Sequence, residues 1–330
     1  MKAPKISVIV PVYRGESTLS GALESLLNQA EETLEILVLD DGSPDGSRQI
    51  AERIAAEAVP ETVVVHSRPN RGLAATLNWG ISLAIGEFVA RQDQDDLVLP
   101  GRLRKQRAFL EAHPDVALVG TWAHIYVGDH PSDRYHRHPT TDDALRLELL
   151  FDNPFVHSSV MMRADVVRSL GGYSEDRNRQ PPEDYELWSR IARHHRVANL
   201  PEVLTVYREM PGSMSRVGEN PFSKNVIKIA SENLEQALGH QFSSADCSAL
   251  AKLYHGAADS PRLPSRHARR MLEAAARAVG GDPTNWSNEF HDSLTRMRRH
   301  LDSRYLRRRV PGPLLPLARW LKRRIPRRGR

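Results

Sequence analysis

Along the first hundred residues, unbroken apolar runs alternate with stretches whose apolar residues recur every three or four positions. Lys5 to Val12 is apolar and β-branched, has the length of a strand, and is closed by Pro11 and the Tyr13-Arg14-Gly15 segment. Glu16 to Gln29 then spaces Leu19, Ala22, Leu23, Leu26 and Leu27 as on one face of a helix. Leu34 to Leu39 repeats the strand pattern, Ser47 to Ala58 the helical one, and Thr62 to His66 reads as a third strand. A helix follows Pro69-Asn70-Arg71-Gly72 and reaches Ala84, and Phe88-Val89-Ala90 is the fourth strand. The order β-α-β-α-β-α-β predicts an α/β fold: a Rossmann-like, mostly parallel sheet with right-handed crossovers and helices on both faces. Strands with so little polar alternation are expected to be buried on both sides.

The later pattern is less regular. Leu99-Pro100-Gly101 starts a helix that ends near His113-Pro114, and its Arg102, Arg104 and Arg107 read as a solvated face. Val116 to Gly120 is a further strand, whereas Gly128 to Pro139, rich in His, Asp and Pro, reads as a surface loop. The histidines there match no zinc spacing and receive no role. Phe151 to Arg163 is a loop and strand. Gln180-Pro181-Pro182-Glu183-Asp184 has the prolines and acids of a helix start. In that helix Leu187, Trp188, Ile191 and Ala192 form the apolar face; Asp184 shares it, and Glu183 lies to the side. Val203 to Arg208 closes the series of strands. Residues 223–300 read as helices, including Val226 to Leu238 and His267 to Val279. The expected divisions are a sheet domain over 1–216, a helical extension over 217–301 and a basic amphipathic tail over 302–330.

Composition narrows the class. A hydrophobic share of 40% and a charged share of 26% are those of a soluble globular chain. With Cys247 as its one cysteine, the chain can build neither an internal disulfide framework nor a cysteine-based zinc site. No run of 18 apolar residues exists, and Met1 to Lys5 shows no cleavable signal, so a cytoplasmic location is expected. The net charge of +5 hides an asymmetry: from Arg296 onward fourteen Lys or Arg stand against Asp302 alone.

The chemistry gathers where strands end. Directly behind the fourth strand stand three carboxylates, Asp93, Asp95 and Asp96, a cluster whose mutual repulsion folding alone would not favour. In extended backbone Asp93 and Asp95 point the same way, roughly 6–7 Å apart at Cα. Such a pair suits a divalent cation, Mn2+ or Mg2+, that shares its shell with phosphate oxygens. The loops after strands one, two and four meet at one sheet edge, which brings Tyr13, Asp40 and Asp41 to the same place. No Gly-x-Gly-x-x-Gly follows the first strand and no P-loop occurs, so a dinucleotide oxidoreductase and a P-loop NTPase lose their support. Asp184, a carboxylate at the mouth of a buried stripe, suits a general base.

Ser7-Val8-Ile9-Val10-Pro11-Val12-Tyr13, Val38-Leu39-Asp40-Asp41-Gly42-Ser43, Asn70-Arg71-Gly72 with Asn78, and Ala90-Arg91-Gln92-Asp93-Gln94-Asp95-Asp96 together resemble the ordered signature of the family 2 glycosyltransferases. The resemblance covers residues 5–215 and implies a GT-A fold, a nucleotide-diphosphate sugar donor (UDP- or dTDP-linked) and an inverting reaction. It implies that Pro11, Tyr13 and Glu16 line the nucleoside pocket, that Asp41 with Asp40 meets the base, and that Asn70 and Arg71 lie near ribose and base. Asp93, with Gln94 beside it, would contact the nucleotide, and Asp93 and Asp95 the metal. Asp184 would be the base with Glu183 in reserve, while Asp96, His157 and Trp188 would face sugar or acceptor. Met210 stands where many relatives carry a histidine, which puts that residue's metal contact in doubt. The acceptor would be a saccharide or lipid-linked saccharide in cell-surface polysaccharide synthesis. That reading favours an anionic membrane surface, reached peripherally from the inner face, over nucleic acid as partner of the tail, with Leu317, Trp320 and Leu321 entering the interface. A nucleotidyltransferase and a non-catalytic sugar-nucleotide-binding protein remain the alternatives.

Overall fold

The computed structural model describes residues 5–29, 34–210 and 222–309. Its first half alternates β1 (Ile6–Val12), α1 (Leu19–Leu27), β2 (Leu34–Asp40), α2 (Ser47–Glu57), β3 (Val63–Ser67), α3 (Leu73–Leu83) and β4 (Phe88–Arg91). β5 (Leu97–Val98), α4 (Arg102–Ala112), β6 (Val116–Val127), β7 (His130–His136), α5 (Asp142–Leu149), β8 (Met161–Arg163), α6 (Ala164–Ser169), α7 (Glu183–His194) and β9 (Arg196–Glu209) complete the sheet region. Four helices follow: α8 (Phe222–Leu238), α9 (Ser244–His255), α10 (Ser265–Gly280) and α11 (Asn288–Arg309).

The strands run in the order β3-β2-β1-β4-β8-β6-β9-β5, with β7 on β6. β3, β2, β1 and β4 are parallel, as their unbroken apolar runs predict. β8 is antiparallel to both β4 and β6, β5 is antiparallel to β9, and β6 and β9 are parallel. Ile9, Leu37, Leu39, Val89, Leu118 and Met162 meet α3, α6 and α7 on one face. Val8, Val10, Ala90, Val119 and Met161 meet α1, α2 and α4 on the other. Gly80 lets α3 lie close to the sheet, since a Cβ there would come within 2.6 Å of Leu39 and 2.7 Å of Ile9.

Two expectations are corrected. The stretch read as a surface loop contains β7, paired antiparallel with an extended β6. An edge hairpin is wet on both faces, so its polar residues do not betray the strand. Arg102, read as solvated, is fully buried at the start of α4. Its guanidinium donates to Gln92 Oε1 (2.9 Å), to the Ser158 carbonyl (2.6 Å) and to the Arg91 carbonyl (2.9 Å).

The helical region has its own core with α5: Ala144, Leu147, Leu150 and Phe151 pack with Leu234, Leu250, Met271, Leu272, Phe290 and Leu294. Val226 and Ile229 of α8 instead join the sheet core beside Leu187 and Ile191. α11 carries the helix through Arg309, past the division expected at 301. Leu317, Trp320 and Leu321, expected to enter the membrane interface, lie outside the described residues, as does the rest of the 302–330 tail beyond Arg309. No helix among the described residues is long and apolar enough to cross a membrane.

Candidate functional site

β4 delivers the chain into the acidic loop beside β1. Asp93, Asp95 and Asp96 each place one carboxylate oxygen within 4.8 Å of the others. Asp93 is held from both sides: the buried Arg91 guanidinium pairs with Oδ1, and Ser158 Oγ donates to Oδ2 at 2.6 Å while accepting from the Asp93 N–H at 3.1 Å. Asp96 is buried, with Oδ1 accepting the Arg208 N–H at 2.7 Å and Oδ2 meeting no protein partner. Burial and the charge of Asp93 push the Asp95 carboxyl up to about 6. Burial, then Asp93 and Asp95, push Asp96 well above its ordinary value. A hard, all-oxygen donor set with one orphaned buried oxygen, short of positive charge, fits a hard divalent cation.

The β1 loop closes against the acids. Gln94 clamps Tyr13, its Oε1 accepting the Tyr13 N–H (2.9 Å) and its Nε2 donating to the Tyr13 carbonyl (3.0 Å). Gly15 leaves that side chain its room, because a Cβ there would lie 2.5 Å from Gln94 Oε1. Arg14 adopts φ 57°, a left-handed conformation uncommon outside glycine and often kept at functional loops. Tyr13 is left 43% exposed. Glu16 Oε2 accepts the Gly46 N–H at 3.1 Å, tying this loop to the one after β2.

In that second loop Asp40 accepts from the Ser43 N–H (3.0 Å) and Ser67 Oγ (2.7 Å) and is fully engaged in shaping the turn. Asp41 accepts the N–H groups of Arg71 (3.0 Å) and Gly72 (2.8 Å), with Arg68 at 3.6 Å. Asn70 and Arg71 stand exposed beside it. Pro11 is buried within β1, opposite Leu39, and presents no exposed surface at the loop. Gln94, Asp40 and Asp41, expected as ligand contacts, thus already hold protein partners, and Tyr13, Asn70 and Arg71 present the open surface.

α7 supplies the second carboxylate pair. Asp184 is half-buried and fixed by two donors, the Tyr185 N–H on Oδ1 (2.8 Å) and Asn153 Nδ2 on Oδ2 (2.7 Å). Glu183, expected to the side, is buried with Oε1 3.9 Å from His157 Nδ1, because the first helical turn is enclosed by the 151–160 segment. His157 Nε2 lies 3.0 Å from the Tyr173 hydroxyl. Burial pushes Glu183 up to about 7, with Asp184 adding repulsion; burial also raises Asp184 to about 6 against the pull of the Tyr185 N–H, Arg91 and Asn153. Burial, then Arg91, holds His157 neutral. Trp188 is corrected: it is fully buried and packs edge-on under His157 and Tyr173, so it supports the site and does not reach an acceptor.

Arg91, Ser158, Tyr173 and Asn153 were not anticipated. A cation at the end of an apolar strand was the available signal for Arg91; the others carry none in the sequence. Arg91, paired with Asp93, also opposes the upward shifts of Asp95, Glu183 and Asp184, so its charge reaches both acidic groups.

The family profile described as glycosyl transferase family 2 matches residues 7–171. The chain is 37% identical over 205 residues to the amylovoran biosynthesis glycosyltransferase AmsE of Erwinia amylovora, covering 61% of this chain and 75% of that protein. Among solved structures, S. aureus TarS 1–349 in complex with UDP-GlcNAc superposes with a TM-score of 0.59 at 19% identity, over 91% of this chain and 89% of that one. The mannosyltransferase PcManGT of Pyrobaculum calidifontis, in complex with GDP-Man and Mn2+, gives 0.55 at 19% identity over 93% and 87%. The fold shared with these structures is the α/β GT-A-like one, extended by C-terminal helices.

Proposed function

Because the chain belongs to glycosyl transferase family 2, and is by that membership a glycosyltransferase, we propose that it moves a hexosyl group from a nucleotide-diphosphate sugar to a saccharide or lipid-linked saccharide hydroxyl. The observation that carries this reading is the convergence of Asp93, Asp95 and Asp96 on one point, with the buried Arg91 paired to Asp93 and its charge felt at Glu183 and Asp184. Asp95 and the orphaned Asp96 oxygen, beside Asp93, would hold a divalent cation, which when bound supplies positive charge for the departing diphosphate. The exposed faces of Tyr13, Asn70 and Arg71 would take the nucleoside.

Asp184 is the better placed base of its pair, since it is partly open where Glu183 is enclosed, and two donors fix its direction. The acceptor oxygen attacks the anomeric carbon, its proton passes to Asp184, and the bond to the diphosphate oxygen breaks with its electron pair leaving on the nucleotide. Attack from the face opposite the leaving group inverts the anomeric centre. AmsE's role in amylovoran biosynthesis supports a polysaccharide setting. The relatives' bound UDP-GlcNAc, GDP-Man and Mn2+ support the donor class and the cation.

Turnover of a panel of UDP- and dTDP-sugars, with Mn2+ or EDTA, tests the reading. Activity should vanish with EDTA, and Asp184→Asn should lower kcat by about 10²–10⁴ while nucleotide affinity persists. Because Glu183 and Asp184 titrate as a pair near 6–7, the wild-type rate should rise from pH 5.5 to 7.5. Full transfer by Asp184→Asn would remove the base assignment.

A further inference from the structure

His136, the last residue of β7, and His138 just beyond it, which match no metal spacing, join Tyr207 of β9 in a row of rings. Tyr207 and His136 meet edge to face with centroids 5.3 Å apart, and His136 and His138 stack at 5.7 Å with 12° between their planes. The row starts at the acids: Tyr207 precedes Arg208, whose N–H donates to Asp96. Burial, then the charges of Asp96, Asp93 and Asp95, push the Tyr207 phenol up to about 12, so it lies within electrostatic reach of the whole cluster.

The row is rigid and chemically unspent. β7 is paired to β6 and β6 to β9, Arg134 forks onto Glu209 (3.1 and 2.6 Å), and Trp122 Nε1 donates to the His138 carbonyl (2.9 Å). Among the described residues, neither the ring nitrogens of His136 and His138 nor the Tyr207 hydroxyl has a protein hydrogen-bond partner. All three residues are only partly buried.

We propose that Tyr207, His136 and His138 form the acceptor subsite for an uncharged saccharide, a reading that rests on the glycosyl transfer proposed above. Ring faces suit the C–H faces of a sugar, and ring nitrogens and the phenol suit its hydroxyls. Burial lowers both histidines, His138 to about 4, so at neutral pH each imidazole offers one donor and one acceptor, matching a hydroxyl. Of the nearby cations, Arg134 pairs with Glu209 and Arg208 with Asp129, while Arg137 lies over the Trp122 and Tyr135 rings. A preformed row also limits the ordering cost of binding.

The experiment uses the full chain with Mn2+ and saturating UDP or dTDP, and reads binding of methyl glycosides of glucose, galactose and N-acetylglucosamine by saturation-transfer NMR. At least one glycoside should bind, and the His136→Ala/His138→Ala pair should weaken it about tenfold or more. His138→Gln, which keeps polarity and loses the ring, should weaken it in the same direction and guards against misfolding of the double variant. Tyr135→Ala, which alters the hairpin's opposite face, should bind as wild type. Equal affinity in wild type and double variant, or no glycoside bound by the nucleotide-loaded protein, overturns the subsite. Calorimetry with UDP and dTDP is the separate arm: absence of nucleotide binding by the wild type would sink the donor reading, and this one with it, and is told apart from failure of the subsite alone.

Discussion

Asp96 gives one oxygen to the Arg208 N–H and leaves the other buried without a partner, directly after Asp95 and three residues from Asp93. With folded-state values raised for Asp95 and Asp96, the folded protein retains protons that the unfolded chain releases. These groups therefore favour folding below their raised values and lose that contribution as pH climbs through them. In metal-free protein, Asp96→Asn keeps an acceptor for Arg208 and removes one charge from the cluster. It should melt higher than wild type at pH 7.5, by about 2–4 °C for each roughly 1 kcal/mol relieved, and by less at pH 5. Subtracting wild type cancels the lowered histidines His136, His138 and His157, whose own effect runs the other way over this range. Mn2+ should raise the wild-type midpoint at pH 7.5 and raise the variant's much less. A variant that melts below wild type at both pH values would contradict the electrostatic account of the cluster.

At the scale of elements, α4 is anchored by its first residue. Arg102 satisfies the Gln92 and Gln106 side-chain oxygens and two carbonyls under the acidic loop, and Gln106, one turn on, donates to the Val119 (2.9 Å) and Ser159 (2.8 Å) carbonyls. Arg102→Met fills the volume and leaves four buried acceptors short of donors, each worth about 1–3 kcal/mol. Chemical denaturation should show a loss of several kcal/mol, and a loss below about 0.5 kcal/mol would mean the network is dispensable. The same residue marks the limit of pattern reading. β1, β2, β4 and the helices between them followed from periodicity because burial on both faces writes itself into an unbroken apolar run. Arg102 was invisible, since a charged residue on a helix reads as solvated until its partners, here distant carbonyls, are known. Asp93, Asp95 and Asp96 stand out in the sequence by their crowding behind β4, and Asp184 by its place on an apolar face, and the family resemblance supports both. The burial of Glu183 and the clamp of Ser158 on Asp93 depend on the 151–160 segment folding back, which no local pattern encodes.

At the scale of the molecule, the two acidic groups are brought together by a sheet region that is not closed on its own. The buried side of α5 and the residues just after it, with Ala144, Leu147, Leu150 and Phe151, is covered by α8 to α11. Glu289 accepts the N–H groups of Thr140 (2.6 Å) and Thr141 (3.0 Å), Asp143 accepts from Ser287 (2.8 Å), and Asn233 donates to the Leu149 carbonyl (2.8 Å) and Ser189 Oγ (2.8 Å). α7, which starts with Glu183 and Asp184, is therefore held by the sheet on one side and by α8 on the other. A chain truncated after residue 216 would expose those four side chains together with the Leu187 and Ile191 surface that Val226 and Ile229 cover. At about 1.5–3 kcal/mol for each large apolar side chain, this loss rivals the 5–15 kcal/mol by which a domain is stable. Such a chain should lack a cooperative urea transition and a native near-ultraviolet circular dichroism spectrum. A sharp two-state transition would instead make the sheet region autonomous, and the helices would then bear on the position of Asp184 without being needed to fold the sheet that faces it.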